Sequence, residues 1–184
     1  MNIVYEEATE KDAYGISYVS AHSWKETYTG LLPEDYLEDR ILNIGNKVEK
    51  TKSFLNNYNG KYIVAKHDGN VVGILAFCPS KNEKYKDYGY LNAIYVLKKY
   101  QKMGIGKELF KIAVEGLIKM GYKKMMLECM TGNDTLNFYK KYLGVVDEKI
   151  DFPIKRVGTV KADVLLFENL EEVLLVLNGN TKKR

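Results

Sequence analysis

Residues 88 to 120 constrain the fold most tightly, because the apolar run YGYLNAIYVL leads through KKY into QKMGIG and then into a helix-period stripe. Leu91, Ala93, Tyr95 and Leu97 alternate with Tyr90, Asn92, Ile94 and Val96, so both faces of the run are mostly apolar and it reads as a central strand. From Gly104 the period changes: Ile105, Leu109, Ile112, Ala113, Gly116, Leu117 and Met120 fall on one helical face, with Gly121 at the expected stop. A strand buried on both sides needs neighbours on both edges, which the rest of the chain must supply.

The clearest of those neighbours is KYIVAKHDGNVVGILAFC, residues 61 to 78, where Asp68-Gly69 separates two β-branched runs as a tight hairpin turn does. NIVYEEA at the N-terminus is a further strand, followed by Thr9 and Asp12 as the start of a helix through about His22. Gly30 and Pro33 imply a break near residues 29 to 32 and a second helix from Pro33, the two helices forming a flap. KKMMLECM is a strand, NDTLNFYKKYL a short helix capped by Asn133 or its neighbour, and VVDEKI and TVKADVLLFENL are two more strands. The predicted order is strand, two helices, three strands, helix, strand, helix, two strands. It describes one α/β (α+β) domain over residues 1–168, with a mixed, mostly antiparallel sheet of about seven strands flanked by helices. Residues 169–184 form an extension, a short helix and a flexible basic tail.

The chain has 184 residues, 46% hydrophobic, enough for one sizeable core. Its net charge of +4 owes three cations to Lys182, Lys183 and Arg184, so the folded body is almost neutral. Nucleic-acid binding, which wants a basic face, is therefore not expected. Cys78 and Cys129 lie inside apolar runs and read as buried thiols, and His22 and His67 have no metal-site spacing, so no metal is expected. No run approaches the roughly 18 apolar residues of a membrane span, and the N-terminus lacks a leader pattern. These features predict a soluble cytoplasmic protein without a membrane partner.

A glycine-rich turn between a strand and a helix gathers backbone N–H groups at the positive end of a helix dipole, which suits an anion. A magnesium-nucleotide loop would need Ser or Thr after Gly106-Lys107, where Glu108 stands; a dinucleotide loop would need glycine at Leu109. What remains, QKMGIG, resembles the acetyl-CoA pyrophosphate loop of the GNAT superfamily of N-acetyltransferases, Arg/Gln-x-x-Gly-x-Gly/Ala. LNAIYV before it, NDTLNFYKKYLG one helix and one strand later, and HSWKETYTGLLPEDYL near the N-terminus strengthen the likeness, which extends over roughly residues 2 to 168.

The resemblance implies an enzyme that moves the acetyl group of acetyl-CoA to a primary amine by direct attack. Main-chain groups of Ile94, Tyr95 and Val96 would pair with the pantetheine arm as an added strand. Amides of Lys102, Met103, Gly104, Ile105, Gly106 and Lys107 would hold the pyrophosphate, with Gln101 shaping the loop and Asn133 and Asn137 reaching the cofactor. Tyr139 would protonate the leaving thiolate, and the Ile94 N–H would stabilise the oxyanion, a donor worth about 2.7 to 4 kcal/mol in comparable sites. Many relatives carry a glutamate where Tyr90 stands here, so the base is to be sought in a water, Glu128, Glu26 or His22. Trp24 and Tyr28, one helical turn apart, could wall an acceptor pocket together with Tyr90 and Glu128. The acceptor is a small-molecule or peptide amine, and a homodimer fits the class. A non-catalytic CoA-binding module on the same fold is the alternative.

Overall fold

The computed structural model describes residues 2–180; the predicted basic tail at 181–184 lies outside the described residues. Seven strands are hydrogen-bonded in the order β1-β2-β3-β4-β5-β7-β6. They are β1 (Val4–Glu7), β2 (Lys61–His67), β3 (Asn70–Pro79), β4 (Gly89–Val96), β5 (Met125–Met130), β6 (Val145–Ile154) and β7 (Gly158–Phe167). The α-helices are α1 (Ala13–Tyr28), α2 (Glu34–Leu42), α3 (Ile44–Asn57), α4 (Ile105–Lys119), α5 (Thr135–Lys141) and α6 (Leu170–Leu177). β4 runs parallel to β5, with Gly89 opposite Met125 and Tyr90 opposite Met126, while β1 with β2, β5 with β7 and β6 with β7 are antiparallel. The sheet is therefore mixed and mostly antiparallel, as expected. No helix among the described residues is long and apolar enough to cross a membrane.

The chain clusters into two compact units, residues 1–76 with 93–109 and residues 77–92 with 110–184. In the first, Asp68 (φ 48°) and Gly69 (φ 76°) close the predicted two-residue turn between β2 and β3. Both angles are positive, as a turn matched to strand twist requires. Ile16 and Val19 of α1 pack with Val64 and Ile74 of the sheet, and Leu55 of α3 and Tyr95 and Leu97 cover the same cluster. α1 therefore commits one of its faces to the core of this unit. It also runs six residues beyond the predicted end at His22, to Tyr28. The third N-terminal helix, α3, corrects the predicted count of two. It buries only Ile44 fully, and its inward stripe of Ile44, Val48 and Leu55 is completed by Thr51, whose hydroxyl meets Ser17 at 2.8 Å.

Asp12 fixes the start of α1. Its carboxylate accepts from the Thr9 amide (2.8 Å) and hydroxyl (3.0 Å) and pairs with Lys66 on β2 at 2.6 Å, although only 5% of the residue is exposed. Burial alone pushes its pKa up, but hydrogen bonds from Lys66 and Thr9 outweigh it and hold the group below the usual carboxylate range. A carboxylate lowered on folding stabilises above its unfolded value of about 3.9 and loses that contribution as pH falls through its folded value. Asp12→Asn is therefore expected to cost about 1.5–3 kcal/mol at neutral pH. Urea unfolding at pH 7 and again near pH 3 checks this; the deficit should shrink in acid, and an equal deficit at both would reject the ionic contribution.

The second unit is organised by an aromatic cluster in which Phe110 of α4 contacts Phe138, Tyr139, Tyr142 and Phe167 at centroid distances of 5.6–5.9 Å. Phe138 and Tyr139 meet the Phe110 ring edge-on, which suits ring quadrupoles, while Tyr142 and Phe167 are tilted against it. Leu170, Val173 and Leu177 of α6 are buried, so the C-terminal helix is built into this unit. Cys129 is buried on β5, and burial followed by the nearby Asp163 charge pushes its thiol up to about 11, which makes it an inert core group at neutral pH. Both cysteines are free and buried.

Candidate active site

The glycine stretch begins where β4 ends. Leu97 donates its N–H to the Val72 carbonyl at 3.0 Å, a single 3-10 turn follows at Lys98–Tyr100, and the Gln101 side chain reaches back to the Val96 carbonyl at 3.0 Å. The loop is thereby pinned to the strand it leaves. Lys102 (φ 60°) and Gly104 (φ 86°) then take left-handed conformations, and the first backbone bond of α4 runs from the Glu108 N–H to the Gly104 carbonyl at 3.0 Å. The amides of Ile105, Gly106 and Lys107 therefore open the helix with no carbonyl one turn behind them.

The two glycines differ in what the fold asks of them. Gly104 has a positive φ that a side chain resists, so the turn alone accounts for it. Gly106 lies inside α4 with no such angle, and a Cβ built on it meets nothing within 4 Å. Neither backbone nor packing requires glycine at 106. A glycine in a helix costs about 0.5–1 kcal/mol against alanine, so its use here points to a group outside the chain that must approach the helix end.

In the second unit, the Asn133 side-chain oxygen accepts from the Thr135 N–H at 2.9 Å, a turn that leads into α5, whose N-cap residue is Asp134. Asn137 is exposed, whereas Tyr139 is 7% exposed with its ring edge-on to Phe110 and Phe138. The Tyr139 carbonyl accepts from the amides of Tyr142 and Gly144, both at 3.0 Å, which closes the C-terminal end of the helix. Tyr90 on β4 donates its hydroxyl to Glu128 on β5 at 3.1 Å. A phenol on β4 thus holds a carboxylate on the neighbouring strand.

The acceptor-pocket candidates on α1 divide. Trp24 stacks edge-on with Tyr28 at 4.9 Å, lies 6.4 Å from Tyr36 of α2, and receives the Arg40 guanidinium 4.0 Å above its ring. These rings join α1 to α2. Arg40 also reaches the Ser20 hydroxyl at 3.3 Å, while its Nε is buried with no hydrogen-bond partner among the described residues. A cavity of about 680 Å³ opens along a different stripe of the same helix, Tyr14, Tyr18, His22 and Glu26, and neither Trp24 nor Tyr28 lines it. Tyr14 and Tyr18 carry no functional motif in the sequence; their four-residue spacing is the only signal that marks them.

Comparison with known proteins agrees with this architecture. Residues 21–145 match the model of the acetyltransferase (GNAT) family. An uncharacterized N-acetyltransferase of Bacillus subtilis, YuaI, is 31% identical over 140 residues, which span 76% of this chain and 79% of that protein. Among solved structures, the PaiA N-acetyltransferase of Thermoplasma acidophilum in complex with coenzyme A superposes with a TM-score of 0.64 at 21% identity, over 88% of this chain and 98% of that one. YncA of Salmonella typhimurium with its cofactor acetyl-CoA gives a TM-score of 0.67 at 15% identity, over 92% and 95%. At these identities the solved structures speak for the fold, and the sequence matches speak for the family. The chain belongs to the GNAT family of acetyltransferases.

Proposed function

We propose that the protein transfers the acetyl group of acetyl-CoA to a primary amine by direct attack. Gly106, a helix-start glycine that the fold does not need, is the observation that carries this reading, since a phosphate can approach only where no side chain stands. The amides of Lys102 to Lys107 are the proposed pyrophosphate donors, and Gln101 keeps them in place through its bond to Val96. Backbone groups of Ile94, Tyr95 and Val96 are the proposed pantetheine partners, and the Ile94 N–H the donor for the negative oxygen that develops during transfer. Asn133 and Asn137 complete the proposed cofactor contacts; because the Asn133 oxygen is already engaged by Thr135, its amide N–H₂ is the part left to act.

Bound acetyl-CoA supplies an activated thioester. A primary alkyl amine, with a pKa near that of lysine at about 10.4, must lose a proton before it attacks. Glu128, oriented by the Tyr90 hydroxyl, is the proposed base, and Tyr139 the proposed acid for the departing thiolate. The acceptor is an amine on a small molecule or a peptide.

The test has two steps. Acetyl-CoA should raise the melting temperature, as a ligand bound only to the native state must. A panel of polyamines, aminoglycosides, amino acids and N-terminal peptides should then release free thiol with at least one member. Glu128→Gln should slow that reaction by about a hundredfold or more and remove the acid limb of its pH profile. Stabilisation without thiol release from any acyl-CoA would favour a binding module instead.

A further inference from the structure

The cavity in the first unit stands apart from the proposed transfer site. On the sheet side it is lined by Asn70, Val71 and Val72 at the start of β3 and by residues from Leu97 onward, so β4 itself, which ends at Val96, contributes nothing. Leu97 lies three residues past Ile94, about 10 Å along an extended chain, and neither Ile94 nor Glu128 is among the residues that line the cavity.

Its chemistry is specific. The floor is aliphatic, made by Val71, Val72 and Leu97, and the walls are rings, Tyr14, Tyr18 and His22 on α1 and Tyr100 on the 3-10 turn. Tyr18 and His22 stack at 4.1 Å, and Tyr100 lies 5.7 Å from the ring of His67. Tyr14 and Tyr18 are 58% and 37% exposed, large rings left open to solvent. The rim carries Lys98 and Lys99. Among the described residues neither ammonium has a carboxylate partner, and the Lys99 ammonium rests 4.8 Å over the Tyr100 ring. Glu26, the carboxylate at the same rim, is occupied in part by the Lys98 backbone N–H at 3.1 Å. The rim is therefore net positive above a floor and walls that suit a flat apolar body, and the volume lies within the range of about 300–1,000 Å³ typical of small-molecule sites.

We propose that this cavity is a second ligand site, separate from the acetyl-CoA site, which takes an aromatic carboxylate or a similarly flat aromatic anion. Ring faces on Tyr18 and Tyr100 hold the aromatic body, and Lys98 and Lys99 hold the anionic group. The 3-10 turn it contacts continues directly into Gln101, so an occupant touches the segment from which the glycine loop departs.

2-Naphthoate is the probe, its affinity measured by calorimetry on the full chain with and without saturating acetyl-CoA. Naphthoate should bind about tenfold or more tightly than neutral 2-naphthamide, the scale of one charge-assisted hydrogen bond. Lys98→Gln with Lys99→Gln should erase that preference. Tyr18→Ser, at an exposed position, should weaken both probes without lowering the melting temperature. Naphthoate should bind equally to protein already saturated with acetyl-CoA. Mutual exclusion of the two ligands, or naphthoate binding indifferent to all three substitutions, would overturn the second site. Since acetyl-CoA binding is read separately, failure of this proposal leaves the transferase reading standing, and failure of acetyl-CoA to bind leaves the naphthoate result interpretable.

Discussion

Gly106→Val should weaken acetyl-CoA binding by about a hundredfold or more, about 2.7 kcal/mol, while leaving the free protein at least as stable as before. The protein offers no objection to the new side chain, because nothing lies within 4 Å of the added Cβ and the backbone there is helical. Replacing a helical glycine reduces the freedom of the unfolded chain, and alanine at this position should stabilise by up to about 1 kcal/mol. Gly104→Val separates the two roles of the loop. At φ 86° a β-branched residue is strained, so this variant should lose about 1–2 kcal/mol of stability as well as affinity. Calorimetric titration paired with thermal melts distinguishes the outcomes. If Gly106→Val bound acetyl-CoA like the parent, the helix start would not be a phosphate site and the glycine would have no explanation in ligand approach.

Much of this arrangement is legible in the sequence, for reasons that are local. The Asp68-Gly69 turn follows from two adjacent residues that tolerate positive φ, and β4 and α4 follow from apolar periods that need no knowledge of their neighbours. α3 is harder to read because its inward face depends on Thr51, a polar residue whose contribution is a hydrogen bond to Ser17 and not apolar burial. The cavity is harder still. Tyr14, Tyr18, His22 and Glu26 form a plain four-residue series, but what turns that series into a wall is the approach of residues 70–72 and 97–100, which only the sheet brings alongside α1. Trp24 and Tyr28 attract notice as large rings, yet Trp24 meets Tyr36 and Arg40 of α2 and Tyr28 packs edge-on against Trp24. The distinction between Gly104 and Gly106 is likewise invisible in QKMGIG, because it depends on one backbone angle and on empty space around one atom.

Tyr139→Phe should lower the turnover rate by about a hundredfold to ten-thousandfold, the range typical of a lost general acid, with acetyl-CoA affinity nearly unchanged. The substitution is well suited to the question because it keeps the ring. Tyr139 is 7% exposed, and its edge-on contacts with Phe110 and Phe138 at 5.7 and 5.3 Å involve ring carbon that phenylalanine preserves. Its carbonyl bonds to Tyr142 and Gly144 are backbone and survive as well. The stability cost should therefore not exceed about 1.5 kcal/mol, that of one hydroxyl hydrogen bond. A phenol with an ordinary pKa of about 10 can protonate a thiolate whose conjugate acid lies near 8.5, so the reaction does not require a metal at this step. The expected signature is a depressed kcat, an unchanged dissociation constant for acetyl-CoA, and loss of the alkaline limb that a titrating phenol imposes. Acyl donors whose leaving group needs no protonation, such as aryl thioesters with a more acidic thiol, should be spared most of the loss. A rate for Tyr139→Phe equal to that of the parent would reduce Tyr139 to a packing residue of the aromatic cluster and return the search for the acid to the remaining phenols.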